Sequence, residues 1–236
     1  MCGRYVSTHS ADEIAEVFGV ERSAVEEPLQ ARWNVAPTTQ VPAVLDRARE
    51  DGSERQLRTL RWGLVPSWAK DRSRGTPMIN ARLETAHEKP SFRRAFARRR
   101  CLLPADGFYE WYGEKKGAKQ PFYLHPRSGL MAMAGLYEIW RDPDVAADDD
   151  PQAWLWSVTI LTTSATDEVG RVHDRMPLLL TSETWDTWLD PHQTDVGEVR
   201  GLLHVAQPGE LDAYPVSTEV NNVRNDGPHL VDSVSL

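Results

Sequence analysis

The residue of this chain with the widest chemical reach is a cysteine at position two. Once Met1 is removed, which a small second residue permits, Cys2 carries a free amine and a thiol on adjacent carbons. An aldehyde condenses with such an amine to a Schiff base. The thiol then closes on the same carbon as a five-membered thiazolidine, which an internal cysteine cannot form. The amine starts from a reference pKa of roughly 7.7–8.0, so a useful fraction is neutral and nucleophilic near pH 7. Position alone also allows Cys2 to be an incidental small residue. Further along, Asn80 and Arg82 place an amide and a guanidinium two residues apart, on one side of an extended segment or in one loop. Both suit phosphate or sugar oxygens; the plainer reading is a polar loop with a helix cap. Glu110 lies in the aromatic run Gly107-Phe108-Tyr109-Glu110-Trp111-Tyr112, and alternation puts it on the face of Phe108 and Tyr112. A carboxylate desolvated among rings suits proton transfer, or pairs structurally with an arginine. His173, beside Asp174 and Arg175, can shuttle protons near neutral pH, although a lone histidine is more often structural.

Two aromatic and basic stretches accompany these residues. Trp62 and Trp68 flank a Gly and a Pro, with Arg61, Lys70, Arg72 and Arg74 close in sequence. Rings on such a loop suit stacking on unpaired bases, and the cations suit phosphates. Phe92 to Arg100 adds five arginines, several facing outward if Phe92 and Phe96 are buried at i,i+4. Core aromatics beside a solvated face are the plainer reading of each stretch.

The 236 residues are 40% hydrophobic, so a substantial core forms without disulfides or metals. Two cysteines make no disulfide framework, and Cys101, in an apolar stretch, reads as a buried core thiol. No histidine pair has metal-ligand spacing with a cysteine, so neither metal nor cofactor is expected. No apolar run has signal-peptide or membrane-span character, which points to the cytoplasm, or the nucleoid if DNA is met, and to no membrane partner. The net charge of −8 argues against nucleic acid, but its distribution does not. Residues 1–140 hold 22 Lys and Arg against 17 Asp and Glu; residues 141–236 hold 5 against 18. The acidic part reads as a solvated face, or as adaptation to a salty cytoplasm.

These residues need elements to hold them. Residues 3–8 read as a strand. Ser10 and Glu13 form a capping box for a helix that Gly19 stops. Strands are expected at 41–46 and 57–65 around a turn at 49–53, then at 100–103, 107–112, 121–125, 131–140, 154–163 and 177–181. Helices are expected at 83–98, broken near Pro90, and at 166–171, 183–189 and 195–203. The acidic run 142–151 reads as an exposed loop between two strands. This pattern predicts an α+β fold in a single domain over 1–236: a curved, barrel-like, mainly antiparallel sheet with peripheral helices.

Seven blocks resemble one family. They are Met1-Cys2-Gly3-Arg4-Tyr5, Trp33-Asn34-Val35-Ala36-Pro37, Trp62-Gly63-Leu64-Val65-Pro66, Asn80 to Thr85, Arg100 to Trp111, Ala134-Gly135-Leu136-Tyr137 and His173 to Pro177. In this order they resemble the SRAP family of SOS-response-associated peptidase or abasic-site-processing proteins, to about residue 220, with a short C-terminal tail beyond. The resemblance implies a crosslink between Cys2 and abasic sites in single-stranded DNA, including single-strand/double-strand junctions, by a monomer. It further implies that Asn80 positions the opened sugar, Glu110 transfers protons, and His173 aids sugar opening and crosslink reversal. Arg4, Asn34, Arg82 and Arg175 would contact DNA or shape the site, and Trp62 and Trp68 would flank the bent strand. Autoproteolytic loss of Met1 and weak AP-lyase activity also follow; a general protease role does not. Two other readings stay open: a class II glutamine amidotransferase-like hydrolase, which also starts Met-Cys-Gly but continues differently, and a non-catalytic reader of single-stranded or modified DNA.

Overall fold

A computed structural model describes residues 2–75, 78–113, 119–145, 150–165, 167–205 and 211–236. In chain order the elements are β1 (Tyr5–Ser7), α1 (Ala11–Phe18), β2 (Arg22–Ser23), β3 (Arg32–Val35), β4 (Gln40–Arg49), β5 (Gly52–Trp62), β6 (Asn80–Arg82), α2 (Leu83–Ala86), α3 (Arg93–Arg98), β7 (Arg100–Ala105), β8 (Gly107–Tyr112), β9 (Gln120–Pro126), β10 (Met131–Arg141), β11 (Trp154–Ser164), α4 (Asp167–Val172), β12 (Arg175–Pro177), α5 (Ser182–Leu189), α6 (Val196–Val205) and β13 (Leu211–Pro215).

Local chemistry sets the first elements. The Ser10 hydroxyl accepts from Glu13 N–H, and the Glu13 carboxylate accepts from Ser10 N–H, so α1 starts where the capping box predicts. Gly19, at φ 64°, ends it in the left-handed conformation that a glycine adopts without steric cost. The β4–β5 hairpin turns where expected, but β4 runs longer than 41–46, and β5 starts earlier than 57 and ends at Trp62, short of 65. Arg55 pairs with Asp46 across the strands at 2.9 Å, which keeps a polar stretch in the ladder. The 83–98 segment is two short helices, α2 and α3, separated around Pro90. The strand expected at 177–181 lies earlier, at Arg175–Pro177. Leu178–Leu180 run on beside β10, where Ala134 N–H donates to Leu178 O and Leu180 N–H to Ala132 O.

The sheets place the core. One has the order β13-β9-β8-β1-β3. The other runs β12-β11-β10-β7-β4-β5-β2, and β5 also pairs with β11 in parallel at Ser157–Arg61 and Val158–Trp62. That extra pairing closes β4, β5, β11, β10 and β7 into a five-stranded barrel. Val41, Leu45, Leu60, Cys101, Met133 and Ile160 fill it, and Tyr5, Phe108 and Leu124 of the other sheet cap one end. The α+β, barrel-like, mainly antiparallel architecture is the one expected. Cys101 is a buried core thiol. The acidic loop joins β10 to β11, although residues 146–149 of it lie outside the described residues. None of the described helices is long and apolar enough to cross a membrane.

Helices α3 and α5 are fastened to the barrel by one buried cation. Arg100, on β7, donates to five backbone carbonyls: Phe96 and Ala97 of α3, Trp188 of α5, and Asp190 and Gln193 beyond it, at 2.6–3.0 Å. Burial lowers its pKa to about 10, so it remains charged near neutrality. Cations suit helix C-termini because the unpaired carbonyls there carry partial negative charge. Arg100→Met is expected to cost roughly 2–4 kcal/mol of unfolding free energy, because several carbonyls lose their donor in a dry site. Arg100→Lys, with three donors, is expected to recover part of it. Urea denaturation measures both, and a loss below about 1 kcal/mol for Arg100→Met would mean that those carbonyls find other donors.

Candidate active site

Cys2 is fully buried just ahead of β1, in the core with Tyr5, Cys101, Ile160 and Val169. Its backbone carbonyl is too far ahead of β1 to join the ladder, and the Asn80 side-chain amide donates to it at 2.7 Å. The thiol lies 4.0 Å from Arg4 O. Burial, and then the charge of Glu110, push the thiol pKa well above its ordinary value. At neutral pH the sulfur is therefore a protonated thiol.

Asn80 reaches Cys2 because β6 lies parallel to β11, with Asn80 beside Ile160 and Arg82 beside Thr162. Its amide oxygen is buried without a hydrogen-bond partner among the described residues. Glu110 is buried on β8, opposite Phe122 of β9. The alternation read from the sequence holds: Phe108 faces the barrel core, whereas Tyr109 and Trp111 face the opposite cluster with Val220 and Leu230. Cys2, Asn80 and Glu110 thus converge at the capped end of the barrel.

His173 follows α4, which packs against β8, β12 and β13. Its Nδ1 lies 3.0 Å from the Arg175 N–H and 2.9 Å from Asp174 Oδ1. One nitrogen cannot serve both at once. Without a hydrogen Nδ1 accepts from Arg175 N–H, and with one it donates to Asp174. Arg175 itself is committed to structure. It holds Glu84 through two hydrogen bonds, at 2.6 and 3.0 Å, and donates to Thr162 O at 2.5 Å. This bridge lowers the Glu84 carboxyl pKa.

Arg4 and Asn34 shape the outer side of the sheet that carries Cys2. Arg4 donates to Asn34 Oδ1 and to Val220 O, both at 2.8 Å, and lies 6.0 Å from the Trp111 ring centre. Asn34, fully buried, donates to the carbonyls of Val220, Asn222 and Asn225. The short tail of the sequence reading is thereby clasped against β3. Arg82 is exposed beside the site. Trp68 is 61% exposed, so its ring is available to a base. Trp62 differs from expectation. It is fully buried, set edge-on to Tyr5 at 5.3 Å with its indole N–H donating to Ile79 O, and has no face for a base. Its place at the end of β5 turns it into the barrel, whereas Trp68 lies beyond the strand.

Sequence reading passed over Tyr5, Glu84 and Thr162. Tyr5 lies near enough to Cys2 for the thiolate charge to raise its phenol pKa further, after burial, and its hydroxyl is buried without a partner among the described residues. The spacing Asn80-x-Arg82-x-Glu84 held the one available signal for Glu84. Thr162 gave none, because its role depends on β12 lying beside β11.

The sequence pattern of the family described as SOS response associated peptidase (SRAP) matches residues 1–223. The abasic site processing protein YoqW of Bacillus subtilis is 40% identical over 234 residues, covering 99% of this chain and 100% of that protein. The abasic site processing protein HMCES of Gallus gallus is 33% identical over 232 residues, covering 86% of this chain and 66% of that one. A crystal structure of a Bacteroides thetaiotaomicron protein superposes with a TM-score of 0.80 at 25% identity, over 99% of this chain and 100% of that one. With the family pattern spanning nearly its whole length, the chain belongs to the SRAP family.

Proposed function

We propose that this chain processes abasic sites in single-stranded DNA by capturing them covalently on Cys2. The observation that carries the reading is the 2.7 Å hydrogen bond by which Asn80 holds the carbonyl of the buried Cys2. The relatives named as abasic site processing proteins support the same substrate. Met1, which lies outside the described residues, must be removed first, by the chain itself or by an aminopeptidase.

The chemistry balances simply. The Cys2 amine adds to C1′ of the ring-opened deoxyribose, and water leaves as the Schiff base forms. The thiol then adds to the imine carbon, forming the C–S bond, and its proton passes to the ring nitrogen. A sulfur kept protonated by burial arrives at this step still carrying that proton. Glu110 handles protons during amine addition and water loss, as a buried carboxylate beside the reacting atoms can. His173, whose Nδ1 lies within hydrogen-bond distance of both Arg175 N–H and Asp174, aids opening of the sugar and reversal of the crosslink. Asn80 Oδ1, unpartnered within the site, accepts from a sugar hydroxyl. Arg82 holds phosphate, and Trp68 flanks the strand; Arg4, Asn34 and Arg175 shape the site from outside it. A Schiff base beside a 3′ phosphate also permits slow β-elimination, which gives weak AP-lyase activity. The protein acts as a monomer on single strands and their junctions with duplex, in the cytoplasm and at the nucleoid.

Cys2→Ala is expected to abolish a stable crosslink to an abasic oligonucleotide while retaining DNA binding. Intact mass checks both the adduct and the loss of Met1, and an adduct at the wild-type level from a mature N-terminal alanine would falsify the mechanism. Glu110→Gln is expected to slow crosslinking by about 10²-fold or more with little change in binding to undamaged single strands. Equal losses in both measurements would make Glu110 a structural residue.

A further inference from the structure

The barrel has a second feature away from Cys2, on the seam between β5 and β11. These strands pair only at Ser157–Arg61 and Val158–Trp62. On the N-terminal side of those pairs they part, leaving a hollow of about 470 Å³ whose walls include Arg58, Thr59, Gln40, Glu26, Trp154 and Trp156. Trp156 is four residues before Ile160, the partner of Asn80, which is about 13 Å along a strand.

One wall is a built stack. The Arg58 guanidinium lies 4.4 Å from the Trp156 ring centre and that of Arg47 lies 5.1 Å away. Tyr137 stacks on the same indole at 5.7 Å, with the ring planes 10° apart. Arg58 Nε donates to Gln56 Oε1 at 2.8 Å, which orients the guanidinium and leaves its two terminal nitrogens without partners among the described residues. Arg47 and Arg58 have no carboxylate within ion-pair distance among the described residues, while the nearby Arg22 and Arg49 share Glu54. Burial, and then the charges of Arg47, Arg22 and Arg49, hold the Arg58 guanidinium below its ordinary pKa range. Like charges crowded in this way are relieved by an anion. Trp154, two residues before Trp156 and so on the same face of β11, is 44% exposed and lines the hollow.

We propose that this hollow is a nucleotide-binding site, taking the phosphate on Arg58 and stacking the base on Trp154. Terminal guanidinium nitrogens match phosphate oxygens in pairs, and an exposed indole accepts the face of any base. The hollow has room for about one nucleotide. Glu26 at the rim repels the phosphate and so limits affinity. The nucleotide is either free or one unit of an undamaged strand. The inference is independent of the reading of Cys2.

Titration calorimetry with dAMP, inorganic phosphate and an undamaged thymidine oligomer tests it on the wild type, Arg58→Gln and Glu26→Gln. Saturable binding of dAMP identifies a free nucleotide, and oligomer binding that Arg58→Gln weakens, with no binding of dAMP, identifies a strand. In either case Arg58→Gln is expected to weaken the interaction about tenfold and Glu26→Gln to tighten it about threefold, and phosphate alone binds about tenfold more weakly than dAMP where dAMP binds. Circular dichroism checks that the variants are folded, and Glu26→Gln keeps the test decisive if Arg58→Gln is not. The proposal is overturned if neither dAMP nor oligomer saturates, if phosphate matches dAMP, or if both variants bind as the wild type does.

Discussion

A backbone carbonyl in a dry interior must have a donor, and for Cys2 that donor cannot come from a strand ladder. The Asn80 amide supplies it. Much of the surrounding architecture follows from this one bond. Asn80 must stand beside Ile160, so β6 must run parallel to β11 in that register. Ile79 and Val158 fix the approach, accepting from Ile160 N–H and Gly63 N–H. Arg82 then emerges on the exposed side, and Glu84 meets Arg175 across the next turn. A single hydrogen bond thus ties Cys2 to the barrel wall, beside the polar side chains that surround it.

The arginines show how little charge counting says without geometry. Much of the positive excess in the first 140 residues is used internally. Arg100 organises helix ends, Arg4 holds the tail, and Arg175, from the acidic part, braces β12 against α2. The acidic part is in turn more than a solvated face. Asp186, Asp212 and Asp226 pair with Arg55, Arg127 and Arg32 from the basic part. The asymmetry along the sequence is therefore partly cancelled in space.

The elements with their own local signals were legible. Ser10, Glu13 and Gly19 delimit α1, the turn at 49–53 marks the long hairpin, and alternation around Glu110 assigns both faces of β8. Elements stabilised from a distance were not. β3, β6 and β13 are three to five residues long and exist through their partners β1, β11 and β9. Cys2, Asn80, Glu110 and His173 stand out as candidates by residue type, because each has an unusual local context, and the fold joins Asn80 to Cys2. Trp62 shows the limit: an indole near glycine, proline and arginine looks the same in sequence whether it lines a groove or fills a core. Only the closure of β5 onto β11 distinguishes the two.

The clasp made by Asn34 and Arg4 has a consequence in time. Arg4 and Asn34 are secured by Val220, Asn222 and Asn225, which lie 188 to 216 residues further along the chain. Contacts of such sequence separation form late, because a long loop must close before they return any stabilisation. Cys2, two residues from Arg4, is therefore seated late in folding. Until that clasp closes, a folding chain holds Cys2 outside the core that buries it, so burial of the thiol reports on contacts formed some two hundred positions away.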